Sequence, residues 1–530
     1  MASAPIDWRG ITRKSFLKAS AATLAAASTT GSLTGVTALA QTRSHAPRVG
    51  GTLRFGYPLD FTRDDPVNAP WMDDADLQIY ERLLAKDFHG NLVPQLAESY
   101  HTSDDGLTLT FKLKHRTFQN GQPVTAAAVK AFFLALRDPK TGHPWKYYDA
   151  VTGIDTPDAR TVVFHLAHPD ANLPQAVSYT YAGIVDMKVR AKYGNTFGTQ
   201  GSVGAGSGPF MLSEFVPGDH ETLVRNPAYN NPSPFVQNKG PAHLDKVVYK
   251  YIPDASQRSI DLESGNVDLV QDPAPQDVAR LKANSALEVI TLPEWSLMHI
   301  TFNFMNKHLA DRTVRQAITQ AIDRRRIVEK VLFNQGVPAY SVIPAQDKTY
   351  WPGAESLYPY DLAQARRLMN GRRLTFTLIH YQESEHRRLA QVIQAELAQI
   401  GITLKLQALD RATHFARLKA GTYDLAFFKY LWDSPMDVVK VLFWSKQIPF
   451  PDWSRFRSAA DGIFPRLDAT RTLAERANLS AHIQKIIMKD IGLVPIYTPF
   501  NIYAYNKKRV HGFHPYTFSL YAYLQDVYLT

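Results

Sequence analysis

The sequence of 530 residues contains no cysteine. Disulfide bonds, thiolate catalysis and cysteine-ligated zinc or iron–sulfur sites are therefore excluded. Beyond its N-terminal segment it also lacks an apolar stretch of about 20 residues, the length that a membrane-spanning helix requires. Apolar residues make up 45% and charged residues 20% of the chain, which is typical of a globular protein that buries a large core.

Motifs of the common catalytic sites are absent as well. Neither Gly-x-Ser-x-Gly nor His-Glu-x-x-His occurs in the chain. A Gly-x-Gly-x-Gly run at 204–208 lacks the downstream Gly-Lys-Ser/Thr of a phosphate loop, and Pro209 follows it directly. We therefore expect no enzyme, no nucleotide site, no metal site and no cofactor.

The charge of the chain is positive, at +10. Its basic residues stand mostly at helix spacings or in short runs such as 324–326, without interleaved aromatic residues. This arrangement is typical of a solvated surface, so we expect no nucleic acid as a partner.

The N-terminal segment has the composition of an export signal. Residues 9–18 are basic, residues 20–40 are rich in Ala, Thr, Ser and Leu, and Ala38-Leu39-Ala40 forms a small-x-small cleavage site before Gln41. Residues 12–18 resemble the twin-arginine export box with lysine in place of the second arginine, so the twin-arginine and general secretory routes both stay open. We expect a signal peptide over 1–40, cleaved after about Ala40, and a mature protein in the periplasm.

Five short phrases follow one another between residues 206 and 270. They are Gly-Ser-Gly-Pro-Phe (206–210), Glu-Phe-Val-Pro-Gly-Asp (214–219), Arg-Asn-Pro-Ala-Tyr (225–229), Ile-Pro-Asp-Ala-Ser (252–256) and Glu-Ser-Gly-Asn-Val-Asp-Leu-Val (263–270). In this order they resemble the peptide/nickel-type (oligopeptide/dipeptide-binding, family 5) extracytoplasmic solute-binding proteins of bacterial ABC importers. The resemblance extends from about residue 50 to the C-terminus.

This resemblance implies an α/β, two-lobed periplasmic-binding-protein fold (Venus-flytrap) with an extra subdomain and with lobes joined by two crossover strands. The crossover strands would be 298–304 and 494–497, which are hinge candidates. The implied segments are the export signal (1–40), the first lobe in three parts (41–92, 209–299 and 496–530), the extra subdomain (93–208) and the second lobe (300–495).

Two local patterns independently predict helices. Apolar residues recur at i, i+3 and i+4 spacing from Val314 to Leu332, which predicts one amphipathic helix capped by Asp311. Thr125 stands before a second such stripe and is typical of a helix N-cap.

Strands and helices alternate in the last part of the predicted second lobe. Alternating apolar residues predict strands at 374–378, 402–406 and 423–431, and the intervening helices would end at Gly401 and, after the N-cap Asp410, at Gly421. This β-α-β-α-β order predicts a parallel sheet with right-handed crossovers. Ligands of such sheets lie beyond the carboxyl ends of the strands.

Asp433 lies just past the third of these strands and is therefore well placed to hold a solute. In the oligopeptide- and dipeptide-binding proteins that the chain resembles, an aspartate at this place pairs with the α-ammonium group of the ligand, which implies that role for Asp433. The alternative is that Asp433 caps a helix. Trp432 adjoins it as a possible wall residue.

The same phrase departs from the family pattern at two positions. Lys429 stands where a small residue is frequent, and Tyr430 stands where tryptophan is common. A lysine near the pocket could face a ligand carboxylate or phosphate. Trp71, in a segment that contributes to the cleft, and Asn303, near the predicted hinge, complete the candidate ligand-binding residues, with ordinary packing as the alternative for both.

The function that the resemblance implies is a periplasmic substrate-binding subunit of an ABC importer. It would capture a peptide or peptide-like solute, work as a monomer and deliver the solute to the membrane permease. The alternatives are a non-peptide solute (opine, sugar conjugate or metal chelate), an exported hydrolase, or a chaperone built on the same scaffold.

Overall fold

One mixed sheet runs through both lobes of the protein, and twelve strands join it among the residues described. The computed structural model describes residues 47–61, 63–69, 72–138, 140, 147–199, 204–230, 233–431, 434–448, 452–516 and 522–530. The helices within these ranges do not combine the length and the apolar character that a bilayer span requires.

The strands are, in chain order, β1 (Thr52–Tyr57), β2 (Leu84–Lys86), β3 (Leu92–Pro94), β4 (Ala97–Thr102), β5 (Thr108–Leu113), β6 (Val151–Asp158), β7 (Thr161–Leu166), β8 (Phe210–Val216), β9 (His220–Arg225), β10 (Lys246–Tyr251), β11 (Leu269–Gln271), β12 (Leu287–Pro293), β13 (Ser296–Phe302), β14 (Gly336–Pro338), β15 (Leu374–Tyr381), β16 (Ile402–Leu409), β17 (Leu425–Leu431), β18 (Leu493–Asn506), β19 (Val510–His511), β20 (His514–Pro515), β21 (Ala522–Tyr523) and β22 (Tyr528–Leu529).

The α-helices are α1 (Asp74–Ile79), α2 (Ala126–Leu136), α3 (Leu173–Ala176), α4 (Met187–Tyr193), α5 (Ala255–Ser264), α6 (Val278–Ala283), α7 (Lys307–Ala310), α8 (Arg312–Ala321), α9 (Arg324–Lys330), α10 (Leu362–Met369), α11 (Ser384–Ala398), α12 (Arg411–Ala420), α13 (Pro435–Phe443), α14 (Phe464–Asp468) and α15 (Leu473–Asp490).

The first-lobe part of the sheet is assembled from distant parts of the chain. Its order is β8-β9-β10-β1-β11-β18, and β12 also pairs with β18. β1 is parallel to β10 and β11, whereas β18 is antiparallel to β11 and β12. The glycines of the Gly-Ser-Gly-Pro-Phe phrase serve packing here, because a Cβ atom on Gly206 or Gly208 would collide with backbone carbonyls of α1.

A separate antiparallel sheet, β4-β5-β7-β6, lies within the residues predicted as the extra subdomain. Helix α2 packs on it, and the Thr125 hydroxyl accepts a hydrogen bond from the Ala128 N–H at 3.2 Å, which confirms the predicted N-cap. Phe111 and Phe164 of this sheet belong to the same hydrophobic core as Phe55 of the first lobe. The predicted domain boundaries themselves stay predictions.

The second-lobe part of the sheet confirms the predicted parallel arrangement, with the order β16-β15-β17-β13-β18. β15 is parallel to both β16 and β17. Asp410 caps α12 as predicted by accepting from the Thr413 N–H at 2.9 Å, and Gly421 ends the helix with φ +69°. Gly401 also has a positive φ but lies two residues beyond Gln399, the C-cap of α11, so the prediction that it occupies the C′ position is wrong by one residue.

The apolar stripe from Val314 to Leu332 forms two helices, α8 and α9, and not the single predicted helix. Asp311 caps the first, with its side chain accepting from the Thr313 N–H at 2.8 Å. The chain breaks at Ile322–Asp323, where Asp323 caps α9 by accepting from the Arg326 N–H. Both helices bury the stripe in one core, so periodicity located the buried face but not the break.

Candidate functional site

The two lobes are joined where β12, β13 and β18 meet. β12 pairs with the Phe500–Asn506 half of β18, and β13 pairs with its Leu493–Tyr497 half. Glu294 lies in the short connection between β12 and β13, and its N–H donates to the Pro499 carbonyl at 3.3 Å. The crossing therefore lies a few residues from the predicted hinge segments at 298–304 and 494–497, of which 298–302 lies in β13 and 494–497 lies in the first half of β18.

Lys429 reaches this crossing from β17. Its Nζ lies 3.0 Å from Glu294 Oε1, and the Glu294 side chain is 2% exposed whereas that of Lys429 is 31% exposed. Burial alone would lower the pKa of Lys429, but Glu294, Asp272 and Glu385 raise it above its ordinary value. Burial raises the pKa of Glu294, and Lys429 opposes that shift. Lys429 is therefore a cation held among carboxylates.

Two further carboxylates, Asp272 from the first lobe and Glu385 from the second, act on Lys429. Asp272 follows β11, and its Oδ1 accepts from the Ile502 N–H at 3.2 Å. Glu385 stands in the first turn of α11 and accepts from the Tyr497 hydroxyl at 2.6 Å. We call Asp272, Glu294, Glu385 and Lys429 the hinge charge group. It combines residues of the first lobe, the crossing and the second lobe.

A second set of charges lies at the carboxyl ends of β15 and β16. Arg411 Nη2 lies 3.3 Å from Glu383 Oε1, and its guanidinium stands over the Tyr381 ring at 5.0 Å from the centroid. Burial would raise the pKa of Glu383, but His386 and Arg411 lower it to about 2. Burial and Asp60 raise the pKa of Tyr251, at the end of β10, and Arg411 and Glu383 make smaller, opposite contributions to it.

A buried contact links the subdomain to the second lobe. Asp437 in α13 accepts from Asn172 Nδ2 at 3.1 Å and from the Tyr179 hydroxyl at 3.0 Å. The other oxygen of Asp437 lies 2.6 Å from Arg476 Nη2, and both side chains of this ion pair are 8% exposed. A movement that separates the subdomain from α13 must break these hydrogen bonds.

The structure places the predicted site residues in different surroundings. Tyr430 is buried, and its hydroxyl donates to the Val342 carbonyl. Asn303 is buried beyond the other end of β17, where its amide donates to the Gly421 and Tyr423 carbonyls at 2.9 and 2.7 Å. Asn303 is thus not brought together with Lys429. Trp71, Trp432 and Asp433 lie outside the described residues.

Sequence reasoning missed the partners of Lys429. Asp272, Glu294 and Glu385 are at least 44 residues from it along the chain, and strand pairing together with the contact between α11 and β18 brings them together. A signal was present for Glu294, which interrupts the apolar crossover segment just before β13. Charged residues in such a segment are rarely buried without a partner.

Known proteins with similar sequences bind solutes. Residues 91–447 match the family model of the bacterial extracellular solute-binding proteins, family 5 Middle. Heme-binding protein A of Haemophilus influenzae is 25% identical over 480 residues, which cover 83% of this chain and 85% of that protein. Glutathione-binding protein GsiB of Escherichia coli O1:K1 / APEC is 28% identical over 374 residues, which cover 68% of this chain and 70% of GsiB.

A solved structure with the same fold is the ABC transporter-associated periplasmic binding protein DppA from Helicobacter pylori in complex with the peptide STSA. It matches with a TM-score of 0.79 at 23% identity, over 91% of this chain and 98% of DppA. This likeness confirms the predicted two-lobed α/β fold. Because the family model covers more than half of the chain, the protein belongs to the bacterial extracellular solute-binding proteins, family 5.

Proposed function

We propose that this protein is the periplasmic substrate-binding subunit of an ABC importer, and that it captures a peptide or peptide-like solute between its lobes. The names of the relatives support transport-linked binding: one binds glutathione, itself a short peptide, and the fold neighbour is ABC transporter-associated and periplasmic. The observation that carries the ligand class is the hinge charge group, which sets carboxylates and an ammonium group at one place between the lobes. A zwitterionic solute offers a partner to both.

Asp433 is the proposed partner of the solute's α-ammonium group, because it is two residues past the end of β17 at Leu431 in the sequence and Lys429 lies near that end of the strand. Lys429 forms an ion pair with Glu294 at 3.0 Å and is 31% exposed, so an ammonium group with three donors can also bind a ligand carboxylate. Trp432 and Trp71 are proposed as walls. Tyr430 and Asn303 are proposed to support the framework, since their polar atoms already bond to backbone carbonyls.

Lobe closure is the proposed response to the solute. A ligand shifts the equilibrium toward the closed form only if it binds that form more tightly, so it must contact both lobes. Asp437 accepts hydrogen bonds from Asn172 and Tyr179 of the predicted subdomain, and we propose that closure retains this contact. The membrane permease would then recognise the closed protein.

The decisive experiment is native mass spectrometry of the protein purified from the periplasm of its own cells, followed by denaturation and identification of what is released. We expect short peptides. A single opine, sugar conjugate or metal chelate would retain the binding role and overturn the peptide class. Cleavage of an added peptide would favour the hydrolase, and suppression of aggregation without any released ligand would favour the chaperone.

Replacing the proposed amine anchor tests the site itself. Asp433→Asn should weaken binding of a released peptide by about 3 kcal/mol, roughly a hundredfold, because an ammonium group in the cleft would lose its carboxylate. Isothermal titration calorimetry measures this change. Asp410→Asn is the matched control, since asparagine also caps helices well and this variant should bind like the parent. Equal affinities for both variants would exclude Asp433 as the anchor.

We also propose export with cleavage after about Ala40, by the twin-arginine or the general secretory route, and a monomeric mature protein. The basic stretch at 9–18 and the Ala-Leu-Ala site support the export signal. N-terminal sequencing of the periplasmic protein from cells with and without a working twin-arginine system distinguishes the routes, and size-exclusion chromatography with light scattering tests the monomer.

A further inference from the structure

The first lobe buries four carboxylates in one place. Asp64, Asp73, Asp76 and Glu221 are between 0 and 4% exposed. One carboxylate oxygen from each of Asp64, Asp73 and Glu221 lies within 4.8 Å of the other two. We call these four residues the lobe I acid group.

Backbone contacts hold this group in place. The Asp64 N–H donates to the Gly198 carbonyl at 2.7 Å. The backbone carbonyl of Asp64 accepts from the Tyr80 hydroxyl at 2.8 Å. Glu221 lies on β9 and shares a strand face with Leu223, which is part of the hydrophobic core. The fold therefore directs the carboxylates of Asp64 and Glu221 inward, where they cannot turn to solvent.

Two of the four carboxylates have hydrogen-bond donors. Asp73 is the N-cap of α1 and accepts from the Ala75 N–H at 2.9 Å, while Asp76 accepts from the Asp73 N–H at 2.9 Å. By contrast, both oxygens of Asp64 and both oxygens of Glu221 are buried without a hydrogen-bond donor among the described residues. The Asp64 and Glu221 carboxyl groups contact each other, and burial raises the pKa of both well above the ordinary value.

Arg190 forms an ion pair with Asp65, the residue after Asp64. Three hydrogen bonds join the two side chains, from Nε to Oδ1 at 3.0 Å and to Oδ2 at 3.1 Å, and from Nη2 to Oδ2 at 2.9 Å. Within the described part of the chain, no Lys or Arg forms a salt bridge with Asp64 or Glu221. When both carboxyl groups are ionised, their negative charges have no countercharge from the described part of the chain, which is strongly unfavourable.

We propose that the lobe I acid group binds one Ca²⁺ ion through Asp64, Asp73 and Glu221, with Asp76 beside it. A divalent ion balances the two charges that lack donors. Oxygen atoms up to 4.8 Å apart fit an ion whose ligands lie about 2.3–2.6 Å away on opposite sides. Carboxylates are hard ligands that suit Ca²⁺, whereas Zn²⁺ favours histidine and cysteine.

Other occupants fit less well. Mg²⁺ usually retains several waters and an octahedral shell, for which an enclosed set of carboxylates leaves little room. A water molecule could donate hydrogen bonds but would not balance the charge. An organic ammonium ion is larger than a metal ion. It is too large for the lobe I acid group, whose four residues are at most 4% exposed. Protonation of Asp64 or Glu221 is the competing way to neutralise the group, and the experiment separates it from Ca²⁺.

The test uses the full-length protein stripped with EGTA and then titrated with CaCl₂ or MgCl₂. We expect one Ca²⁺ per chain by equilibrium dialysis with elemental analysis, and a Tm that rises with CaCl₂ and rises less with MgCl₂, because a ligand that binds the folded state stabilises it. A protein that binds no Ca²⁺ and keeps the same Tm in EGTA and CaCl₂ would overturn the proposal in favour of shared protons.

Variants locate the ion. Glu221→Gln and, as a second variant, Asp64→Asn keep the side-chain shapes and should each weaken Ca²⁺ binding at least about tenfold and remove most of the Tm response. Glu396→Gln is the matched control, a buried glutamate of the second lobe, and should respond to CaCl₂ like the parent. A parent-like response in both Glu221→Gln and Asp64→Asn would place the ion elsewhere and refute the site.

Discussion

The hinge charge group and the lobe I acid group both bury carboxylates, yet they differ in what balances the charge. In the hinge charge group, the Lys429 ammonium lies 3.0 Å from Glu294, and Asp272 and Glu385 also raise the pKa of this lysine. In the lobe I acid group, Asp64 and Glu221 have neither a cation nor a donor among the described residues. Lys429, Asp272 and Glu385 are only partly buried, whereas the lobe I acid group is at most 4% exposed, and the proposed Ca²⁺ ion supplies a countercharge only in the lobe I acid group.

Removing the cation of the hinge charge group should give the largest effect. Lys429→Met leaves Glu294 buried without its partner and should lower the free energy of unfolding by about 3 kcal/mol. Urea denaturation followed by circular dichroism measures it. Lys405→Met, on the exposed face of β16, is the control and should change stability by less than about 0.5 kcal/mol. Equal losses of unfolding free energy in the two variants would mean that the ion pair with Glu294 does not stabilise the protein.

Glu396 is a buried carboxyl that belongs to neither group. Burial raises its pKa to about 7. A folded-state pKa above the unfolded value stabilises the protein at low pH, and this contribution is lost as the pH rises through about 7. From pH 5 to pH 8, the parent should lose about 2 kcal/mol that Glu396→Gln does not lose. The exposed Glu329→Gln should follow the parent. Parallel pH profiles of the parent and Glu396→Gln would contradict the assignment.

The smallest expected effect is a gain in stability, whereas the two preceding predictions are losses. In EGTA, Glu221→Gln removes a buried charge that has no partner, so it should raise the free energy of unfolding by about 1 kcal/mol. Chemical denaturation in EGTA is the measurement, and excess CaCl₂ should reverse the order of the variant and the parent. A variant less stable than the parent in EGTA would show that Glu221 is stabilised by a partner within the chain, as Glu294 is.

Local patterns in the sequence predicted much of the second lobe. The predicted third strand at 423–431 is β17, Leu425–Leu431, and the helix before it begins after Asp410 and ends at Gly421 as predicted. These signals work because strand alternation, N-caps and left-handed glycines depend on residues a few positions apart. The break between α8 and α9 was not predicted, because an unbroken apolar stripe fits one helix or two.

The candidate site was only partly predictable. The order of strands and the family resemblance directed attention to Lys429 and Asp433, but the carboxylate partner of Lys429 could not be found from the sequence. Glu294 becomes its neighbour only because β13 pairs with β17 and the β12–β13 connection crosses β18. Asn303 stands in the right segment, yet the antiparallel register of β13 places it at the other end of β17.

The sequence by itself determined the family, the two-lobed α/β fold, and the local elements, because these follow from short phrases and from periodicities within single helices and strands. The tertiary structure alone decided which charges are neutralised within the chain. Lys429 meets Glu294, and Asp64 meets Glu221, through strand pairing and loop packing between segments far apart in sequence. Electrostatic energy depends on distance in space and on burial, and neither can be read from sequence separation.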